Sequence, residues 1–132
     1  MLRSETIIHD RYRIVRLIGE GGAGAVYEAI DLHLSKTVAL KQTRIPHSRI
    51  LRSFEQEARI LSRIQHPALA QVTDYFSEAD SQFLVMTFIP GADLGELLEQ
   101  RDEPFSVETV LDWAEQLLDV LEYLHSQRSP II

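Results

Sequence analysis

A glycine-rich turn, followed by an apolar run that ends in lysine, restricts the fold of this chain more than any other feature. Residues 19–26 read Gly-Glu-Gly-Gly-Ala-Gly-Ala-Val, and residues 38–41 read Val-Ala-Leu-Lys. Several nucleotide-binding folds share the spacing Gly-x-Gly-x-x-Gly, so the residues that follow it must discriminate between them.

Those residues favour a hairpin. A dinucleotide fold needs a helix directly after the glycines and an acidic residue about 20 positions further on. Residues 25–29, Ala-Val-Tyr-Glu-Ala, instead predict a strand, and the later residue is Lys41. A P-loop needs Gly-Lys-Ser or Gly-Lys-Thr, which the sequence lacks. A glycine turn between two strands, with a lysine on a third, is similar to the arrangement in protein kinases.

The glycines and the lysine suit phosphate chemistry. Gly19, Gly21 and Gly24 have no Cβ, so the backbone can turn sharply and approach phosphate oxygens. Lys41 supplies a point charge for the same oxygens.

Composition limits the remaining classes. The 132 residues suffice for one small domain, and the absence of cysteine excludes disulfides and thiolate metal sites. No apolar run approaches the length of a membrane span. Residues 1–66 carry 11 Lys or Arg against 7 Asp or Glu, whereas residues 67–132 carry 2 against 13. This acidic second half argues against a nucleic-acid partner.

The periodicity predicts an α+β order of elements, namely strands at about 12–18, 25–30, 37–42, 70–76 and 82–88, and helices at about 53–65, 93–100 and 107–127. Ser53 with Gln56, Asp93 with Glu96, and Ser106 are predicted helix caps.

Glu57 is a carboxylate within the apolar stripe of the first helix, between Phe54 and Leu61. A charge on a buried face is costly unless it is paired, and Lys41 ends a strongly apolar strand. We expect these two side chains to pair. An edge position from which Glu57 reaches solvent is the alternative.

Over residues 10–132 the chain resembles the amino-terminal part of the eukaryotic-like protein kinases, and its glycine turn looks most like the bacterial serine/threonine branch. The resemblance implies a kinase small lobe at residues 1–89, with a five-stranded antiparallel sheet and one main helix. Residues 90–132 would hold the hinge exit and the first two helices of an incomplete large lobe.

The resemblance also implies roles for individual residues. Lys41 and Glu57 would be the catalytic ion pair, with Lys41 on the α/β-phosphates of ATP. The other nucleotide-contacting positions would be Ile18, Gly19, Glu20, Gly21, Gly22, Ala23, Gly24, Val26, Ala39, Met86, Thr87, Phe88, Ile89 and Asp93.

The implied activity is transfer of the γ-phosphoryl group of ATP to Ser or Thr of a protein substrate, with Mg²⁺. His-Arg-Asp and Asp-Phe-Gly are absent from these residues, so the metal ligands would lie outside this chain and the isolated chain should be inactive. We expect no metal site in the chain itself. A kinase-like binding or scaffold module without phosphotransfer is the alternative. A metabolic nucleotide-binding enzyme would require a helix after Gly24.

Two further expectations concern association and location. The helix at 107–127 carries an apolar face, and its exposure in the isolated chain predicts a homodimer through this helix. Its members are Val110, Ala114, Leu117, Leu118, Leu121 and Leu124. We expect a cytoplasmic chain, and an anchor elsewhere in the parent protein stays open.

Overall fold

The computed structural model describes residues 2–22, 24–44, 55–56 and 58–127. Its centre is an antiparallel sheet of six strands with the spatial order β1-β2-β3-β4-β6-β5. The strands are β1 (Ile7–Ile8), β2 (Tyr12–Gly21), β3 (Gly24–Asp31), β4 (Lys36–Arg44), β5 (Val72–Glu78) and β6 (Ser81–Thr87).

The predicted antiparallel sheet is confirmed, with one more strand than expected. The addition is β1, which has two residues that pair with Arg13 and Tyr12. The glycine turn is also more regular than predicted, because β2 continues to Gly21 and pairs there with Gly24. The glycines therefore form the end of a β2–β3 hairpin.

The sheet has two distinct faces. Along β3 the side chains alternate strictly between buried and partly buried, as expected for a strand between two layers. The buried positions contribute to one apolar cluster, which we call the core face: Ile8, Tyr12, Ile14, Ala25, Tyr27, Ala29, Val38, Leu40, Phe76, Phe83 and Val85.

The opposite face carries a smaller cluster and a helix. Helix α1 comprises the helical residues 55–56 and 58–61. Its Ala58 is fully buried against Val72 and Leu84. We call this side of the sheet the site face, because Lys41 lies on it directly opposite Leu84. The predicted cap Ser53 and the stripe residue Phe54 lie outside the described residues.

Side chains join the two edges of the sheet. Arg11, just before β2, and Tyr12, its first residue, both donate to Oδ2 of Asp74 on β5, at 3.2 and 2.7 Å. The ring of Phe76 stacks on His9, with centroids 4.3 Å apart. The edges β1–β2 and β5 therefore contact each other around the core face.

The chain divides into two compact units, Met1–Gln65 with Ala70–Ile89, and His66–Leu69 with Pro90–Ile132. The second unit contains α2 (Leu94–Glu99) and α3 (Val107–His125). The predicted capping box is present, since Asp93 and Glu96 exchange backbone-to-carboxylate hydrogen bonds of 2.8 and 3.0 Å.

Helix α3 is capped by Ser106 as predicted, but its buried side differs from the predicted apolar face. Val120 is the buried residue of the helix, with Trp113 and Tyr123 partly buried on the same side. Leu117 and Leu118 remain 62% and 64% exposed. The leucine face is therefore uncovered within the described part of the chain.

Candidate functional site

The glycine hairpin and Lys41 are brought together by strand register. Gly19 lies opposite Val26, and Val26 lies opposite Lys41, so one row crosses β2, β3 and β4. Residues directly opposite each other in antiparallel strands project to the same face. The lysine and the glycine loop therefore share one side of the sheet.

A cavity of about 190 Å³ lies at this row. Its lining consists of Gly19, Glu20, Gly21, Gly24, Val26 and Lys41. The cavity therefore combines glycine peptide groups, one apolar side chain, one carboxylate and one ammonium group. The peptide N–H groups and the ammonium group are the kinds of donor that bind phosphate.

The glycines differ in what their missing side chains leave free. A Cβ at Gly19, Gly21 or Gly22 would have no heavy atom within 4 Å. A Cβ at Gly24 would lie 1.9 Å from the carbonyl oxygen of Gln42, and Gly24 has a φ of +129°. The first three therefore leave space for a ligand, whereas Gly24 permits close packing of β3 on β4.

The next row of the site face holds apolar candidates for the adenine pocket. Ala39 lies opposite Met86, and Met86 lies opposite Val72. Ile18 is an extra residue on β2 between Leu17 and Gly19, and its side chain is 45% exposed. Ala39 and Met86 are thus adjacent, and Ile18 is available to a ligand.

The predicted hinge residues follow the same strand. Thr87 ends β6, and its backbone N–H donates to the carbonyl oxygen of Gln71 at 3.0 Å. Because the Thr87 N–H is already hydrogen-bonded within the protein, the backbone groups of Phe88 and Ile89 are the candidate partners for adenine. Asp93 lies in the second unit, where its carboxylate caps α2.

Two predicted site residues, Glu57 and Ala23, lie outside the described residues. The neighbouring residue Ala58 packs on Leu84, which is the cross-strand partner of Lys41. Helix α1 is therefore held against the site face next to the lysine. The Lys41–Glu57 pair stays a prediction.

One charged cluster was missed by the sequence reasoning. Arg11 makes two hydrogen bonds to Asp31, at 3.0 and 2.8 Å, and Asp31 is 2% exposed. These bonds, with the backbone N–H groups of Leu34 and His33, hold the pKa of the Asp31 carboxyl below its ordinary value, although burial opposes the shift. The partners are far apart in sequence, so no local pattern indicated them.

The same cluster affects Tyr12. Burial and the hydrogen bond from its hydroxyl to Asp74 raise the pKa of Tyr12. The phenol therefore stays neutral and donates to Asp74 across the joined edges of the sheet.

The described residues thus combine a glycine hairpin and a strand lysine on one face of the sheet. The protein kinase domain family matches residues 12–132. The chain belongs to this family.

Its similarity to curated proteins is spread over most of its length. Probable serine/threonine-protein kinase YbdM of Bacillus subtilis is 33% identical over 129 residues, which are 96% of this chain and 50% of YbdM. Serine/threonine-protein kinase pkn3 of Myxococcus xanthus is 35% identical over 119 residues, which are 87% of this chain and 22% of pkn3. The chain therefore spans half or less of these relatives.

Solved structures show the same fold. The kinase domain of Mycobacterium tuberculosis PknI, a double mutant, superposes with a TM-score of 0.83 at 24% identity, covering 95% of this chain and 52% of that one. Rad53 1-466, in a complex with AMP-PNP, superposes with a TM-score of 0.77 at 23% identity, covering 88% and 30%. At these identities the similarity supports the fold alone.

The described residues lack two kinds of feature. None of their helices is long and apolar enough to cross a membrane. The same part of the chain contains no group of three or more His, Cys, Asp or Glu side chains able to hold a metal ion.

Proposed function

We propose that this chain is the ATP-binding part of a protein serine/threonine kinase. The observation that carries the proposal is the row Gly19–Val26–Lys41, which places an ammonium group and open glycines around one cavity. Residues 1–89 would form the small lobe, and residues 90–132 would form the hinge exit and the first helices of the large lobe.

Each group at the cavity has a task in this proposal. The backbone at Gly19, Gly21 and Gly22 would lie close to phosphate oxygens, because a Cβ at these positions would meet no heavy atom within 4 Å. Lys41 would bind the α/β-phosphates, and Glu57 would orient the lysine. Val26, Ala39 and Ile18 would contact adenine, whose polar edge would meet the backbone of Phe88 and Ile89.

ATP fits these residues because the space beside the glycines is open and a lysine borders it. Bound ATP would supply the γ-phosphoryl group, and Mg²⁺ would neutralise charge that develops during its transfer. The metal ligands and the base that accepts the Ser or Thr proton would come from residues outside this chain. The chain itself would contribute position and electrostatic stabilisation.

Nucleotide titration of the isolated chain tests the proposal, and its two lysines provide a matched pair. Lys41→Ala should weaken binding of an ATP analogue by roughly ten-fold or more, since a charge-assisted contact to phosphate is lost. Lys36→Ala is the control, because Lys36 lies on the same strand five residues earlier, opposite Asp31 and away from the cavity. Equal affinities of the two variants would contradict the proposed role.

We further propose that the isolated chain does not transfer phosphate. His-Arg-Asp and Asp-Phe-Gly are absent from its sequence, so nothing supplies the base or the metal ligands. Radiolabelled ATP with Mg²⁺ or Mn²⁺ and a generic basic protein should give no incorporation above background. Incorporation that Lys41→Ala abolishes would overturn this point and favour a complete catalyst in these residues.

A third part of the proposal is self-association of the isolated chain through α3. Leu111, Leu117, Leu118 and Leu121 are between 46% and 64% exposed on this helix. Burying one leucine contributes roughly 1.5–3 kcal/mol, which exceeds the few tenths of a kcal/mol lost per repelling acidic pair beside it. Salt should strengthen the dimer, because it screens that repulsion.

Sedimentation at tens of micromolar should show a dimer that Leu117→Asp dissociates. Gln116→Asp adds the same charge to the same helix beside the leucines and should leave the dimer intact. A monomer at every salt concentration would rule out this association.

We also propose that the chain is located in the cytoplasm. Microscopy of a tagged chain tests that location.

A further inference from the structure

Strand β2 is irregular beside the glycine hairpin. Its pairing with β3 is interrupted twice, between Ile14 and Arg16 and again between Leu17 and Gly19. Val15 and Ile18 are therefore extra residues without partners on β3, that is, two β-bulges. Only Arg16 and Leu17 pair regularly between them, with Glu28 and Tyr27.

The hydrophobic pattern does not specify this register. Ile14, Val15, Leu17 and Ile18 are all apolar, so either parity of β2 presents apolar side chains to the core face. Register is weakly specified where alternation is lost, and a shift by one residue moves every side chain to the other face. A slip that removed the second bulge would pair Ile18 with Val26 and displace Gly19 from the row of Lys41.

One ion pair lies within the regular segment. Nε of Arg16 is 2.7 Å from Oε2 of Glu28, and these residues are directly opposite each other in the ladder. The Glu28 side chain is 19% exposed, and its other cross-strand neighbour is Ala39 of the candidate adenine row. The pair thus links β2 to β3 in the segment between the two bulges.

We propose that Arg16 and Glu28 are a positioning pair that holds the register of the glycine hairpin against Val26 and Lys41. This inference rests on the proposed nucleotide site but concerns residues that make no contact with the nucleotide in it. A partly exposed ion pair adds little to global stability, so its effect is expected in the local register.

Amide hydrogen exchange followed by NMR tests the register without any ligand. In Glu28→Gln and in Arg16→Gln, exchange within residues 19–26 should accelerate by roughly three- to ten-fold, while Tyr12 and Ile14 and the global unfolding midpoint stay unchanged. The charge-reversed double variant, Arg16→Glu with Glu28→Arg, should restore slow exchange.

A second ion pair on the same strand serves as the control. Nη1 of Arg13 is 2.9 Å from Oε2 of Glu5, and this pair lies outside the bulged segment. Glu5→Gln should leave the exchange of residues 19–26 unchanged. Unaltered exchange in Glu28→Gln, equal acceleration in Glu5→Gln, or no recovery in the double variant would overturn the inference.

Titration with an ATP analogue separates this inference from the proposed function. Glu28→Gln should weaken binding by roughly three- to ten-fold, and the double variant should recover it. A wild-type chain that binds no nucleotide would refute the proposed function, whereas the exchange experiment would still decide the role of the pair. Faster exchange with unchanged affinity would overturn the link between register and nucleotide binding.

Discussion

At the scale of single residues, the glycines of the hairpin separate into two kinds. Gly19, Gly21 and Gly22 have open space where a Cβ would be, whereas Gly24 has a backbone carbonyl there. The sequence spacing does not distinguish the two kinds, because a glycine that leaves space for a ligand and a glycine that permits close strand packing are the same residue type. Ligand access and strand packing therefore each account for part of this glycine-rich segment.

We predict that Gly24→Ala lowers the free energy of unfolding by about 1–3 kcal/mol or more. A φ of +129° is strained for alanine, and the alanine Cβ would meet the Gln42 carbonyl. Gly21→Ala should change that free energy by less than about 0.5 kcal/mol while it weakens nucleotide binding. Urea unfolding of both variants checks the first effect and analogue titration checks the second. Equal stabilities would contradict the distinction.

At the scale of elements, the cluster around Arg11 connects parts of the sheet that hydrogen-bonded ladders do not connect. Arg11, which precedes β2, binds Asp31 at the end of the neighbouring strand β3 and Asp74 on β5, the last strand of the spatial order. Asp31 also accepts the backbone N–H groups of His33 and Leu34 in the turn before β4. One guanidinium group thus links β3, the edge strand β5 and one turn.

This cluster gives a pH dependence with a definite sign. The folded-state pKa of Asp31 is lowered from its ordinary value of 3.8, so its contribution is complete above that value and is lost as the pH falls through the folded-state pKa. At neutral pH, Asp31→Asn should lower the free energy of unfolding by about 2 kcal/mol. This loss is smaller than for breaking a fully buried ion pair, because Arg11 keeps its contact with Asp74.

Denaturant unfolding of wild type and Asp31→Asn between neutral pH and pH 3 measures this difference. The two stabilities should converge as the pH falls below the ordinary aspartate pKa. Asp80→Asn, in the exposed turn between β5 and β6, is the control and should leave the free energy of unfolding at neutral pH unchanged. A difference that stays constant with pH would contradict the assigned role of the Arg11–Asp31 pair.

At the scale of the whole molecule, the local sequence pattern predicted the features that depend on residues close together in the chain, namely strands and helix caps. Alternation in Ala25–Ala29 gave the strand after the glycines, and Asp93 with Glu96 gave a cap that the structure contains. The two-residue strand β1 carries too few residues for any periodicity. The Arg11–Asp74 contact joins residues 63 positions apart, between the start of β2 and β5, which are not neighbours in the sheet.

The site was predictable to the same extent. The row Gly19–Val26–Lys41 follows from three antiparallel strands, each of which the sequence indicated. The bulge at Ile18 and the prior use of the Thr87 N–H depend on ladder register and on Gln71, which no motif specifies. For α3, spacing alone did not select Val120 as the buried side.

The central claim is that nucleotide binds the site face of the sheet. Two alanines on adjacent strands offer a direct comparison, since Ala39 lies beside Met86 on the site face and Ala29 lies within the core face. Methyl NMR on addition of an ATP analogue should shift the signals of Ala39, Val26 and Met86 and leave that of Ala29 in place. Shifts at Ala29 and Val85 without shifts at Ala39 and Val26 would contradict the account.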